Sequence, residues 1–596
     1  MFFPMTKIIK GPLGDFVQLF PWTITFALVA SIFYAVWVIP FLSTQFIKRR
    51  LPNQEIGKFE KAQNKFFDLL QGSYNKTLRL CFEHPALTVL ASVSAVIIGV
   101  FLFLHLDVQM LPKADRNSFA VEIHLAEGSS LAQTAEVADS LSSILRQDPR
   151  VSGITSFIGC SSPRFHATYA PQMAKKSYAQ FIVNTTGEDD TKSLLKEYGP
   201  KYEHYFPNAY ARFKQMDYQA VGNPIEIRLS GDDLDSLKLV SDSLKSYLST
   251  LPELTWIHSD LDETSQNVKV VLNTDEATRL GVTQSILSIY LSSVLGGQAL
   301  TTVWEGDYKV PVMLYSLQEN EKMSYQDLGS LMIPTSFPGT WVPLRQVATI
   351  IPDWHDASIN RRNSVRTVTV AADLKYGISE PSVSKKIKAY LNADFLNYKP
   401  ENVTMEYGGL DGANRDVIPQ IVISILAALL VMFAFLLYHF HHIKLVMLNM
   451  SASFICIFGS TLGLTLFGLD FSITAVLGLV SLIGIIVRNG IIMFEYAESL
   501  RHDNHLSAKE AGFEAGKRRL RPIFLTSAAA ALGVVPMIIA HTSLWMPMGV
   551  VICFGTLFSF PFVVTLLPVS YWQLFESHDR KVNLRIVKHL KKHILS

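Results

Sequence analysis

Seven long apolar stretches set the terms on which this chain can fold. They run over approximately residues 19–43, 85–106, 417–438, 444–468, 471–497, 522–541 and 547–574. A helix of roughly 20 apolar residues crosses the hydrocarbon of a bilayer, where every backbone polar group must be satisfied within the helix itself. The seven stretches are therefore expected to be transmembrane helices. The composition agrees: of 596 residues, 49% are hydrophobic and 17% charged, against about a quarter charged in an ordinary soluble domain. Trp22, Tyr438, Tyr571 and Trp572 stand near the ends of these stretches, as amphipathic rings do at membrane–water interfaces.

The remaining bulk features mainly exclude. A formal net charge of +2 gives no ground for nucleic acid as a partner. Cys81, Cys160, Cys456 and Cys553 are far apart and mostly in apolar segments; they form neither a disulfide framework nor a zinc pattern. Residues 1–15 lack the basic start, apolar stretch and small-residue cleavage site of a secretory signal. Neither a nucleophile elbow nor a phosphate-cradling glycine loop ending in GK[ST] occurs. The expectation is a protein that is not an enzyme, carries no cofactor or metal, and is not a nucleotide-driven pump.

Basic residues in the short connections set the orientation. Lys48, Arg49, Arg50, Lys58, Lys61 and Lys65 follow the first stretch, Arg501 to Arg521 supply six more, and the tail after 576 is again basic. With seven alternating spans, all three segments fall on the cytoplasmic side, and 107–416 faces outward. The N-terminus then lies outside without an export signal; a nascent chain can start that way, and a chain cut from something longer explains it at least as well. Residues 51–75 place basic and aromatic residues at helical spacing, giving either an amphipathic helix on the cytoplasmic interface or a solvated linker.

The outward region alternates strand and helix patterns. SFAVEIHLA (118–126) alternates like a strand; a helical stretch, the strands VSGITSFIG and AQFIVNTT, and the helical TKSLLKEYGPKYEHYF follow. This is a β-α-β-β-α-β order, an antiparallel sheet with two helices on one face. The scheme restarts at PIEIRLSG (224–231), continues through a helix to NVKVVLN (267–273), and resumes at SVRTVTVAA (364–372), a helix and VTMEYGG. Between them, about 274–354 reads as an inserted module. Phe157, Phe165, Tyr169 and Phe181 surround the turn-like stretch 159–175. They either line an apolar pocket for a greasy ligand or serve as ordinary packing.

One charge stands out. Arg488 lies near the middle of GLVSLIGIIVRNGIIMFEYAESL (478–500), where a guanidinium costs about 2.5–3.5 kcal/mol on insertion scales. Three readings are open: it snorkels to the interface, it reaches Glu495 two turns along the same helix, or its carboxylate lies on a helix outside this chain. A buried Arg facing acids that gain and lose protons would couple protonation to helix repacking. Asn489, Arg519 and Thr526 would extend that polar network; as alternatives, Arg519 is positive-inside anchoring and Thr526 satisfies a backbone carbonyl.

The stretch around Arg488-Asn489, the entry Arg519-Leu520-Arg521-Pro522, Thr526 and Gly533–Pro536 together resemble the tenth and eleventh spans of resistance-nodulation-division (RND) efflux transporters. The order of spans, the paired α+β units and LPKADRNSFAVEIHLAEGSSL resemble them too. The similarity covers nearly the whole chain but only the family's second half. It implies a membrane protein with about seven transmembrane helices and a periplasmic region of ferredoxin-like porter subdomains with a docking insertion. The implied layout is 1–50 first span, 51–76 interfacial helix, 77–106 second span, 107–220 first porter subdomain, 221–273 with 355–411 the second, 274–354 docking insertion, 412–575 a five-helix bundle and 576–596 a basic tail. It further implies a trimeric proton antiporter of the bacterial inner membrane, exporting hydrophobic or amphiphilic compounds, partnered by the transporter's N-terminal half, a periplasmic adaptor and an outer-membrane channel. Stretch 157–175 would fall near its drug pockets. The well-known drug pumps carry Lys where this chain has Arg488, the paired proton-carrying aspartates lie on a span this chain lacks, and the metal-exporting branch has Glu in the tenth span. Alternatives are a lipid or siderophore exporter of the same family, or a membrane-anchored accessory protein with an outer binding module.

Overall fold

The computed structural model describes residues 3–46, 58–166, 168–219, 221–261, 264–315, 325–356, 358–395 and 400–594. Among them, seven helices are long and apolar enough to cross a membrane: Leu13–Phe46, Pro85–His105, Gly409–Phe440, Ile443–Phe467, Ile473–Asp503, Ala508–Ile539 and Met546–Glu576. Each contains the corresponding predicted stretch to within a few residues. The last continues as helix to Ile594, through what the sequence suggested was a separate tail.

Close approach of these helices relies on small residues, since packing rather than hydrophobic burial joins helices in lipid. A Cβ on Gly459 would meet Gly555 Cα at 2.9 Å, and one on Gly99 would meet Phe458 Cα at 2.6 Å. Leu482, Ile486, Phe494, Leu567 and Tyr571 fill the bundle core. The first long helix is the exception: its start packs Leu13 and Val17 on Ile473, Val476 and Leu477, whereas Trp22, Phe26, Phe33 and Trp37 further along are exposed.

The amphipathic segment contains the helix Lys58–Glu83, which runs past the expected end at 76 and is broken from the second span at His84, ahead of Pro85. Residues 51–57 lie outside the described residues. The helix seats on the bundle through Leu78 and Phe82, with Phe82 stacked on Trp572 at 5.5 Å. Its Tyr74 hydroxyl donates to the Val564 carbonyl at 2.8 Å.

The first outward unit contains strands β1 (Ser118–Leu125), β2 (Val151–Ile158), β3 (Tyr178–Thr185) and β4 (Ala209–Gln215) in the antiparallel order β2-β3-β1-β4. Its helices Leu131–Arg146 and Glu188–Tyr202 cover one face, where Phe119, Val121, Ile123, Phe181, Leu141 and Leu194 form the core. Ser130 and Gln133 make a capping box at the start of the first helix, which satisfies two otherwise orphaned N–H groups.

The second unit departs from expectation in one strand. Its sheet runs β6 (Leu254–Ser259), the strand Val365–Leu374, β5 (Ile225–Ser230) and the strand Thr404–Tyr407. NVKVVLN does not belong to it. That segment lies in β7 (Thr264–Leu272), which pairs with Ala348–Asp356 in a separate two-stranded ribbon. Val270 and Leu272 pack there on the core of the inserted module, beside Leu287, Ile333 and Leu344. The sequence LTWIHS hid its strand because only its two ends are buried and its middle faces a polar interface rather than an apolar core. The inserted module also carries a hairpin, β8 (Gln298–Glu305) with β9 (Tyr308–Leu314), exposed along its whole length.

The outward region is tied to the bundle by Asp115. Its carboxylate accepts the Ser543 N–H at 2.6 Å and pairs with Lys192 at 2.8 Å. Replacing Gly99 by Leu is expected to push the second long helix off Phe458 and cost about 1–3 kcal/mol of bundle stability, measured by thermal unfolding in detergent, whereas Gly72→Leu, with open space around it, should leave the melting temperature unchanged.

Candidate functional site

Arg488 lies on the Ile473–Asp503 helix. Ile483, Ile486, Val487, Met493 and Phe494 of that helix are buried, whereas Arg488 and Glu495 are exposed and Gly484, Ile485, Ile491 and Ile492 are half-buried. Spacings of three and four place the latter set on one face, so one stripe of a central helix is left uncovered by the described residues, and Arg488 is on it. Among the described residues Arg488 makes no hydrogen bond or ion pair. The pairing with Glu495 entertained from sequence is not made.

The other predicted relay residues are partly gathered. Asn489 is buried and donates through Nδ2 to Ser527 Oγ at 3.3 Å, next to Thr526. Thr526 itself donates to the Ile523 carbonyl of its own helix at 3.1 Å. Arg519 stands over the Tyr496 ring at 4.4 Å, with its Nε buried and unbonded. Asn449 escaped the sequence reading. Its side chain is fully buried, donates to the Val487 carbonyl at 3.2 Å, and its Oδ1 fills the space that a Cβ on Gly490 would need. A lone Asn in an apolar helix was the available signal. The Oδ1 atoms of both Asn449 and Asn489 are buried without a partner.

A second polar centre lies between the two outward units, where sequence reasoning placed nothing. Arg212 on β4 is buried. Its Nη1 donates to Glu122 Oε2 at 2.9 Å, its Nε and Nη2 to Asp373 at 2.5 and 2.7 Å, and Nη2 also to the Gly222 carbonyl at 2.9 Å. Glu122 belongs to the first unit and Asp373 to the second, so one guanidinium bridges both. The Trp256 ring lies 5.0 Å from it, sandwiched between Tyr210 at 5.1 Å and His258 at 3.9 Å. Trp256 holds φ 46°, unusual for so bulky a residue. Burial alone would raise the Glu122 carboxyl, but the Arg212 charge overrides it and holds the group well below the usual carboxylate range.

Tyr210, Arg212, Lys214 and Asp373 also line a cavity of about 550 Å³ whose far wall is Asp470 and Ser543 at the end of the bundle. Burial pushes Lys214 down, with Arg212 adding to the effect. Burial, reinforced by Asp107, pushes Asp470 up to about 6. None of the four aromatic residues predicted for substrate contact lines this cavity. Phe181 is fully buried in the first core and has no face free for a ligand, because on β3 it points to the helices. Tyr169 is buried and donates its hydroxyl to Glu122; Phe165 packs on it at 5.0 Å, and Phe157 is half-buried on β2. Tyr169, with Phe165 against it, therefore meets the cavity lining indirectly, through Glu122 and Arg212 and through Lys214, whose Nζ stands 5.2 Å over its ring.

Long apolar helices joined to two α+β units, the second of them interrupted, form the arrangement of the RND transporter fold. The chain belongs to the AcrB/AcrD/AcrF family, whose model matches residues 1–575. It is 25% identical over 584 residues to "Multidrug resistance protein MdtC" of Escherichia coli O127:H6 (strain E2348/69 / EPEC), covering 96% of this chain and 55% of that protein; the MdtC of strain UTI89 matches equally. Among solved structures it is similar to a heavy metal efflux pump in two crystal forms, with TM-scores of 0.73 and 0.74 at 20% identity, covering 85% and 86% of this chain and 52% and 53% of that one. The chain thus spans about half the length of the relatives it matches.

Two consequences of the buried charges can be measured. Arg212→Ala leaves Glu122 and Asp373 buried without their cation and is expected to cost about 3–5 kcal/mol, read by denaturant unfolding. For Asp470 the folded form holds its proton more tightly than the unfolded one. It costs nothing below pH 3.8 and destabilises the fold increasingly as pH rises through about 6. Asp470→Asn is therefore expected to raise the melting temperature above about pH 6 and to leave it unchanged below pH 3.8.

Proposed function

We infer that this chain supplies the C-terminal half of a proton-driven RND exporter of hydrophobic or amphiphilic compounds. The observation that carries the reading is Arg488: a cation on the uncovered stripe of a long apolar helix, with no acid partner among the described residues. In the working transporter its carboxylates come from polypeptide outside this chain, packed on that stripe, and their protonation releases the guanidinium. Arg cannot give up its own proton, so it serves as a fixed counter-charge. Asn489 with Ser527, Thr526 and Arg519 form the polar surroundings of the moving proton.

In this reading the seven helices lie in the bacterial inner membrane and the two outward units are periplasmic porter subdomains. Ribbon strand β7 goes with the docking insertion, because its side chains pack there. The cavity between the units and the bundle is a station for cargo, and its aromatic and charged lining suits amphiphiles. A homotrimer with an adaptor and an outer-membrane channel completes the pathway. The relatives' multidrug name and the Arg488-Asn489 pair both favour organic cargo over metal ions.

Expression in an efflux-deficient strain tests this directly. The chain alone is expected to give no protection against dyes or detergents, and the chain with a matching N-terminal half to restore it. Arg488→Leu in the pair should abolish protection while leaving both halves in the membrane. Protection by the chain alone, or by the Leu variant, would refute the half-transporter reading.

A further inference from the structure

We propose that the outward face of the Lys58–Glu83 helix is a binding site for an anionic glycerophospholipid, with the phosphate held across Lys76 and Arg79. The helix has two working faces. One is seated on the bundle through Tyr74, Leu78 and Phe82, and Gln71 donates to the Lys517 carbonyl at 3.2 Å. The helix therefore lies at the same end of the bundle as the basic loop 498–521. On the other face Lys76 and Arg79 are both exposed, and their spacing of three puts their side chains side by side.

Three other cations at this end have partners. Lys509 stands over Trp572 at 4.7 Å, Arg521 over Phe67 at 4.3 Å, and Arg518 donates to Glu514 at 2.8 Å. Lys76 and Arg79 have neither ring nor carboxylate among the described residues. They flank a hollow of about 280 Å³ with Asn75, Leu80 and Glu83. Glu83 sits one turn beyond Arg79 yet does not pair with it, so two cations against one carboxylate leave the hollow net positive.

The apolar half of the ligand is equally specified. Leu80 is exposed beside the cations, and past the break at His84 the second long helix opens with exposed Leu87 and Leu90. Two cations with Leu80 beside them, at the foot of an apolar helix whose first turns expose Leu87 and Leu90, match a charged headgroup followed by acyl chains. Basic juxtamembrane clusters attract acidic lipid in this way. A soluble anion would have no use for Leu80, Leu87 and Leu90, and a zwitterionic lipid would gain nothing from the net charge.

Native mass spectrometry of the full chain in detergent, titrated with phosphatidylglycerol or phosphatidylcholine, tests the site. Phosphatidylglycerol is expected to bind more tightly. Lys76→Ala with Arg79→Ala should weaken it by roughly fivefold per cation, Lys76→Arg with Arg79→Lys should keep it, and Arg361→Ala with Arg362→Ala on the outward region should change nothing. Should the double variant fail to fold by circular dichroism, Lys76→Gln alone should still lose about fivefold. Equal binding of the two lipids, or equal losses in the outward-region control, overturns the site. Flotation with phosphatidylcholine vesicles reads the membrane placement separately: a chain that floats without preferring phosphatidylglycerol sinks the lipid site alone.

Discussion

The outward half of this protein depends on one guanidinium. Arg212 sits where two antiparallel sheets approach each other, and its donors are divided between Glu122 of one unit and Asp373 of the other. A cation removed from water is tolerated only when its charge and its N–H groups are both satisfied. Here the two carboxylates, the Gly222 carbonyl and the Trp256 face do so together. The relative position of the two units, and with it the shape of the cavity they enclose with the bundle, follows from that arrangement. The unusual backbone of Trp256 belongs to the same centre: the ring must lie flat between Tyr210 and His258 while the chain turns under it.

The membrane half is governed by the opposite condition. Its helices approach through glycines, and the core is apolar apart from hydroxyls such as Ser424, Ser460 and Thr556 and the two amides of Asn449 and Asn489. Asn449 packs against the backbone of residues 487–490, the segment that carries Arg488, and Asn489 of that segment reaches across to Ser527. Both amides therefore meet at one helix turn, facing inward, while the arginine of that turn faces the uncovered side. A charge-bearing turn held from behind by buried amides is suited to transmitting a change at its exposed face, since the packed neighbours admit few intermediate positions.

Much of this was legible in the order of residues. The long apolar helices were readable because hydrocarbon forces apolarity along their whole length, and the strands of the first unit because alternation is required wherever one sheet face meets a core. Arg488 announced itself by its cost. β6 was missed because its middle residues, Trp256 and His258 among them, serve a polar interface. β7 was misassigned because an alternating strand says only that one face is buried and not what it is buried against. Phe181 looked available for a ligand and is core, since an aromatic residue near a loop is indistinguishable in sequence from one pointing at a helix.

The sequence by itself determined the long apolar helices, the strands of the first unit and the presence of a charge that the helices could not ignore, because these follow from local periodicity and from solvation. Only the tertiary structure decided which charges meet. Glu122, Arg212 and Asp373 are 90 and 161 residues apart in their two pairings, and no local rule connects them. It likewise decided that Arg488 faces out and Asn489 in, since neighbours on a helix point about 100° apart and only the packing of the other helices fixes which direction is the interior.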